Sequence, residues 1–361
     1  MIKENKLKIS FYAIIDQGTD NIGRKVEDYC EGLNAQGYDA EPRLIKVAGF
    51  MNRIREGGKL SQDSADILII RNSIYTPFLL IRIIQARFRN KKIIIEMPTP
   101  LRVFVFEIWN SERSLWSKIL LIKMLVLFFP ISLWPAHRIL NYSNESFYFS
   151  LGLKKKSRLI TNGIHTDRIP VRVAKKRNSS DPIIFIGVAM FQASHGYERM
   201  IRSIHDYKQS VEPAEQKKIL FYLVGDGAFR QEWECLAREL DLSDTVIFTG
   251  VKTGRELEEI FAKADIAVGK LAPYKIKLQV ASELKLRGYC ARGVPFIKSY
   301  DDPDFPDDLE FVYSVENSDK RIDIEAVIDW FETLDVKQLV VKMRSYAEEH
   351  LDYKKKELLY L

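Results

Sequence analysis

The chain has 361 residues, 46% of them hydrophobic, so two ordinary domains with sizeable cores are expected and wholesale disorder is excluded. A net charge of +6 hides an asymmetry: residues 1–180 carry 30 Lys and Arg against 16 Asp and Glu, and residues 181–361 carry 25 against 33. Three distant cysteines, Cys30, Cys235 and Cys290, give neither a metal spacing nor an even disulfide set, which points to a reducing cytosol.

The opening MIKENKLKISFY runs straight into a strand pattern with no secretory leader. Short apolar runs at 7–15, 66–72, 92–98, 137–143 and 157–164 predict five strands in the first half. Runs at 182–189, 218–227, 245–250, 265–271 and 294–299 predict five more in the second. Continuous Val, Ile, Leu and Phe suit strands buried on both faces of a parallel sheet. Amphipathic segments such as 227–242 lie between them, and 326–351 reads as two final helices. Strand–helix alternation repeated twice predicts α/β architecture with two doubly wound domains. The polar, basic stretch 172–182 marks the boundary, giving expected domains 1–172 and 173–340 and a C-terminal helix, 341–361, packing back on the first.

One segment stands apart. Ile119 to Phe129 is apolar except for Lys123, and Pro130 is expected to end the run before it reaches the roughly 20 residues of a bilayer crossing. A buried helix accounts for it; so does a helix lying in a membrane interface, to which Trp116, Trp134, Arg113, Lys118 and Arg138 are suited. A basic surface also attracts phosphorylated substrates or anionic lipid, although an ordinary solvated surface explains the charge as well.

Several strand ends carry candidate chemistry. Gly18 and Gly23 follow the first strand and leave room for a ligand near helix amides, although a plain turn explains them too. His195 and Arg199, four apart after strand 182–189, share a face if both are helical, and both reach a phosphate. Gly225 lies in a tight turn, VGDG. In SELKLRGYCARGVPFI, Ser282 is a candidate N-cap. Lys285 in the first turn opposes the helix dipole, which makes sense if an anion binds there. Gly288 sits mid-helix at a cost of about 1 kcal/mol relative to Ala.

The order of these motifs resembles the retaining glycosyltransferases of the GT-B fold, family 4 or group 1 type. The run 223–268, the segment ITNGIHTDRI and the strand HRILNYS carry the resemblance. IIEMPTP and HGYERMI resemble a subgroup from bacterial surface-polysaccharide clusters, of capsule, exopolysaccharide or O-antigen type.

The resemblance implies two Rossmann-like domains facing across a cleft, with reaction at the carboxyl ends of both sheets. The second binds a nucleotide-sugar and the first a lipid-linked saccharide; no metal or other cofactor is expected, and no nucleic acid. It implies Lys285 as the cation facing the leaving diphosphate, helped by His195 and Arg199. Gly23, Gly225, Ser282, Glu283, Leu284 and Gly288 are then on the donor side, and Glu96 and Thr99 on the acceptor side. Gly288 and Val280 replace the family's two glutamates, and Glu283 lies nearby but out of register. The enzyme is expected in the cytoplasm, peripheral on the inner face of the plasma membrane. The runner-up is a relative that kept the fold as a binding or scaffold protein. A sugar-nucleotide epimerase is a third reading, against which the extra acidic and His residues are not seen.

Overall fold

The computed structural model describes residues 6–15, 20–46, 58–72, 79–143, 152–174, 178 and 180–359. The chain divides into two compact units, residues 1–165 with 352–361, and residues 166–351. The division therefore comes before the expected 172/173. Only the last ten residues return to the first unit, while 341–351 stays with the second.

In the first unit the chain runs β1 (Lys8–Ile15), α1 (Asp20–Ala35), β2 (Asp39–Lys46), β3 (Ile67–Arg71), α2 (Leu80–Phe88), β4 (Lys92–Met97), α3 (Leu101–Trp109), α4 (Leu115–Leu133), β5 (Arg138–Asn141) and β6 (Ser157–Leu159). The six strands form one parallel sheet in the order β2-β1-β3-β4-β5-β6. Alternation within the apolar runs divides the core in two, because successive side chains leave opposite faces. Ile67 and Ile69 join Phe11 and, from α1, Val26 and Leu33. Leu68 and Ile70 join Ile83 of α2 and Leu125 and Phe129 of α4 on the other face. The returning tail adds Tyr353 and Leu358 to the α1 side, and Gln36 Nε2 donates to the Tyr353 carbonyl at 2.8 Å.

Pro130 does not end its helix. It lies inside α4, which continues to Leu133. Only the last turn follows the proline, so one N–H is lost near an end whose carbonyls are already short of partners. The proline is buried, as are Phe129 and Leu133 of the core on the same turns of the helix.

The second unit runs β7 (Ile183–Met190), α5 (Tyr197–Ser210), β8 (Ile219–Asp226), α6 (Arg230–Glu239), β9 (Val246–Gly250), α7 (Gly254–Phe261), β10 (Ile266–Val268), α8 (Leu284–Arg292), β11 (Phe296–Lys298), β12 (Val312–Ser314), α9 (Ile324–Glu332) and α10 (Val336–Tyr346). Its parallel sheet has the order β12-β11-β10-β7-β8-β9. Trp233 of α6 is fully buried against Phe191, Tyr197 and Phe229. Strand order reverses between β7 and β10, and open α/β sheets bind ligands at the carboxyl ends of such a pair.

Candidate functional site

At that reversal the chain after β7 forms a 3-10 turn, Ala193–His195, and the chain after β10 lies against it. Leu271 N–H donates to the His195 carbonyl at 2.9 Å, and Ala272 N–H to that of Ser194 at 3.2 Å. Gly196 makes this approach possible. Its φ is +65°, and a Cβ there would stand 2.6 Å from Ala272 Cβ and 2.8 Å from its amide nitrogen. Helix α5 begins only after this residue, at Tyr197. The expected common face of His195 and Arg199 therefore does not form, because the left-handed Gly196 separates a 3-10 turn from a helix.

The loop after β10 returns to start α8. Glu283, not Ser282, is the N-cap residue, and it makes no side-chain capping bond. Leu284 is the first helical residue and is exposed. Lys285 is the second, in the first turn as expected. Ser282 is buried just before the cap.

The Glu283 carboxylate is the hub of the site. Its Oε1 lies 2.9 Å from Lys270 Nζ, and its Oε2 accepts from Tyr300 Oη at 3.0 Å and lies 3.7 Å from Lys285 Nζ. Burial alone would raise its pKa, but Lys270 and then Lys285 pull it well below the usual carboxylate range. Burial pulls the Lys285 ammonium down to about 8, against the support of Glu283. That ammonium is buried and makes no hydrogen bond among the described residues; it lies 5.6 Å from the Tyr197 ring centroid. Two lysines around one carboxylate leave the cluster with a net positive charge and one ammonium short of partners.

His195 completes the cluster but not as a cation. Burial, then the Lys285 ammonium, push its imidazole down to about 2, so it is neutral at physiological pH. Its Nδ1 accepts from Gln192 N–H at 3.3 Å, which leaves the proton on Nε2 as a donor. Arg199 is not free for a phosphate in this structure. Its Nη1 donates to the carbonyls of Leu271 and Glu316, each at 2.9 Å, and its Nε to that of Lys320. Buried and spent on three carbonyls, it straps the loop after β10. Gly225 likewise serves packing: at φ +136° a Cβ would stand 1.8 Å from the Ala189 carbonyl oxygen of β7.

Gly288 lies mid-helix in α8, and a Cβ there would meet Arg292 Nη1 at 3.2 Å. Arg292 is held by Glu258 at 2.5 and 3.0 Å. A side chain at 288 thus points first at a guanidinium, not at the Lys285 ammonium. Lys270 and Tyr300 were not singled out in the sequence. The signal for Lys270 was a cation directly after an apolar strand run, VGKL. Tyr300 comes from the loop after β11 and meets Glu283 only in the fold.

The first unit has its own charged cluster at the carboxyl ends of β3, β4 and β5. Glu96 is buried. Its Oε2 lies 2.6 Å from Arg71 Nη1; its Oε1 accepts from Tyr142 Oη at 2.7 Å and lies 3.4 Å from Lys25 Nζ. Burial alone would raise its pKa, but Arg71 and then Lys25 outweigh it and hold it at about 2. Thr99 is half-buried in the turn before α3. Gly23 is buried in the first turn of α1, and Gly18 lies outside the described residues. Among the described residues, Asp28, Glu31 and His165 bring possible metal-ligand atoms within 4.8 Å of one another.

Residues 171–271 match the family model described as glycosyl transferases group 1. The match takes in His195, Arg199, Gly225 and Lys270 and stops short of Lys285. No curated protein matches the chain by sequence. Among solved structures, the chain is similar to HepE of Anabaena in complex with UDP and glucose, at 12% identity and a TM-score of 0.63, covering 96% of each chain. It is also similar to sucrose-phosphate synthase from Thermosynechococcus elongatus, at 16% identity and 0.64, covering 97% of this chain and 96% of that one. A lipopolysaccharide outer core galactosyltransferase, WaaB, aligns at 13% identity and 0.53 over 95% of each chain. At these identities the likeness shows the fold: two six-stranded doubly wound units of the GT-B kind, the second carrying a glycosyl transferases group 1 match.

Proposed function

We propose that the protein is a glycosyltransferase whose second unit binds a nucleotide-sugar at the β7–β10 reversal and whose first unit holds a saccharide acceptor. The observation that carries this reading is the Lys285 ammonium, buried at a helix start beside Glu283 without a hydrogen bond. A diphosphate supplies the missing acceptors. UDP, named with the Anabaena structure, is a ligand of that class.

In this reading the bond from the sugar's anomeric carbon to the diphosphate oxygen breaks, and a bond to an acceptor hydroxyl forms on the same face. The hydroxyl proton passes to the departing diphosphate oxygen. Lys285 and Lys270 offset the charge that develops there. The His195 Nε2–H donates to a phosphate oxygen or a sugar hydroxyl, and Glu283 holds both lysines in place. The acceptor is a lipid-linked saccharide of a bacterial surface polysaccharide, as the motifs around Glu96 and His195 suggest. The reaction is expected to run without metal.

A second reading, a binding or scaffold relative, is favoured by Gly288 and Val280, the positions at which the resemblance implies carboxylates. Calorimetric titration with UDP-, GDP- and dTDP-sugars separates the two. Binding of one series, with a product of retained anomeric configuration by NMR, supports the enzyme. Binding without turnover supports the second reading, and no binding by any of them overturns the donor site.

A further inference from the structure

Among the described residues, exposed large apolar side chains gather on α3 and α4 of the first unit. Helix α4 is apolar around its circumference, yet only one side is used. Leu125, Phe129 and Leu133 enter the core. Trp116, 81% exposed, Leu120, 63%, and Trp134, 68%, face solvent together with Leu127, and Trp109 of α3 is exposed nearby in sequence. At 100° per residue, positions 116, 120, 127, 131 and 134 fall within about 60° of one another, one stripe along the whole helix. By length and composition α4 could cross a bilayer. Its inner side is built into the unit, however, so crossing would empty that core.

Charge tells what covers the stripe. No Asp or Glu occurs between Glu112 and Glu145, while Arg113, Lys118, Lys123 and Arg138 do. Lys156 Nζ donates to the Trp134 carbonyl at 3.1 Å, which sets the basic turn Lys154–Lys156 at the end of the stripe. Lys123 is exposed and falls on the stripe itself. A second copy of this basic, lysine-bearing face would meet like charge and bury an unpaired ammonium. An anionic bilayer satisfies both features, because indoles prefer the headgroup level and lysines reach lipid phosphates.

We propose that the α3–α4 face docks on an anionic lipid surface, with α4 lying in the plane of the headgroup–acyl boundary. This places the first unit on a membrane such as the inner face of the plasma membrane. The proposal does not rest on the donor site.

The test is sedimentation with vesicles of phosphatidylcholine alone or with 30% phosphatidylglycerol, at low and high salt, with tryptophan emission recorded. Wild type should bind the anionic vesicles with a blue shift, bind neutral ones at least about tenfold more weakly, and be released in part by salt. The double variant Leu120→Glu, Leu127→Glu changes two exposed side chains and should fold normally. It should lose at least about tenfold in vesicle affinity, for two leucines withheld from lipid and two like charges added, and keep its nucleotide binding. Equal binding to neutral and anionic vesicles, binding to neither, or a solution dimer that the double variant abolishes would each overturn the proposal.

Discussion

The two units carry buried carboxylates at the carboxyl ends of their sheets, and the two are partnered differently. In the first unit Glu96 is saturated: Arg71 holds one oxygen, and Tyr142 and Lys25 share the other. In the second unit Glu283 is equally engaged, but one of its cations, Lys285, has no hydrogen bond of its own. A buried charge with every partner in place holds a fold together. One kept short of a partner holds a place for a ligand. Removing charge should therefore cost stability in the first unit and ligand affinity in the second.

The largest expected effect is on stability. Glu96→Gln removes the carboxylate charge shared by the half-buried Arg71 and Lys25 and should cost about 3–5 kcal/mol in denaturant unfolding. Glu96 has a depressed pKa, so its contribution is complete above about pH 4.5 and is lost as pH falls toward 2. The variant should lose that part of the acid sensitivity. A variant as stable as wild type would show that the Glu96 cluster is not structural.

Next comes pH. Only the protonated Lys285 attracts a diphosphate, and its pKa is pulled down to about 8. Affinity for a nucleoside diphosphate should fall about tenfold between pH 7 and pH 9 in wild type, and much less in Lys285→Ala. An equal fall in both would assign the dependence to another group.

The smallest effect is at Gly288. In Gly288→Glu the new carboxylate meets Arg292 four residues on and competes with Glu258 for it. Replacing a mid-helix glycine gains up to about 1 kcal/mol. The variant should melt no lower than wild type and bind nucleotide within about twofold of it. A gain of tenfold in donor affinity would mean that the carboxylate turns away from Arg292 and reaches the sugar-nucleotide.

The same contrast between local pattern and tertiary contact decides what was legible in the sequence. All ten strands expected from continuous apolar runs are present; eight of them are central, and central strands are buried on both faces and must be apolar throughout. The two that escaped, β2 and β12, are sheet edges. β2 carries Pro42 and charged residues, which an edge tolerates, and β12 has three residues. In the cluster around Glu283, the place of Lys285 in the first turn of a helix was readable. Lys270 and Tyr300 come from other strand ends and reach Glu283 only through the fold. The neutral state of His195 was not legible either, since burial, not sequence spacing, sets its protonation. Arg199 looked like a phosphate ligand because its three carbonyl partners lie 72 to 121 residues away.

The central claim is that Lys285 awaits a diphosphate. Its most direct test is calorimetric titration, at pH 7, of UDP, GDP and dTDP into wild type and Lys285→Ala, with unfolding of both proteins measured alongside. The account predicts that at least one nucleotide binds wild type, that the variant loses tenfold or more in affinity, and that it unfolds no more easily, since a buried charge has been removed. Unchanged affinity in the variant for every nucleotide that binds, or a loss of affinity matched by a loss of fold stability, would contradict it.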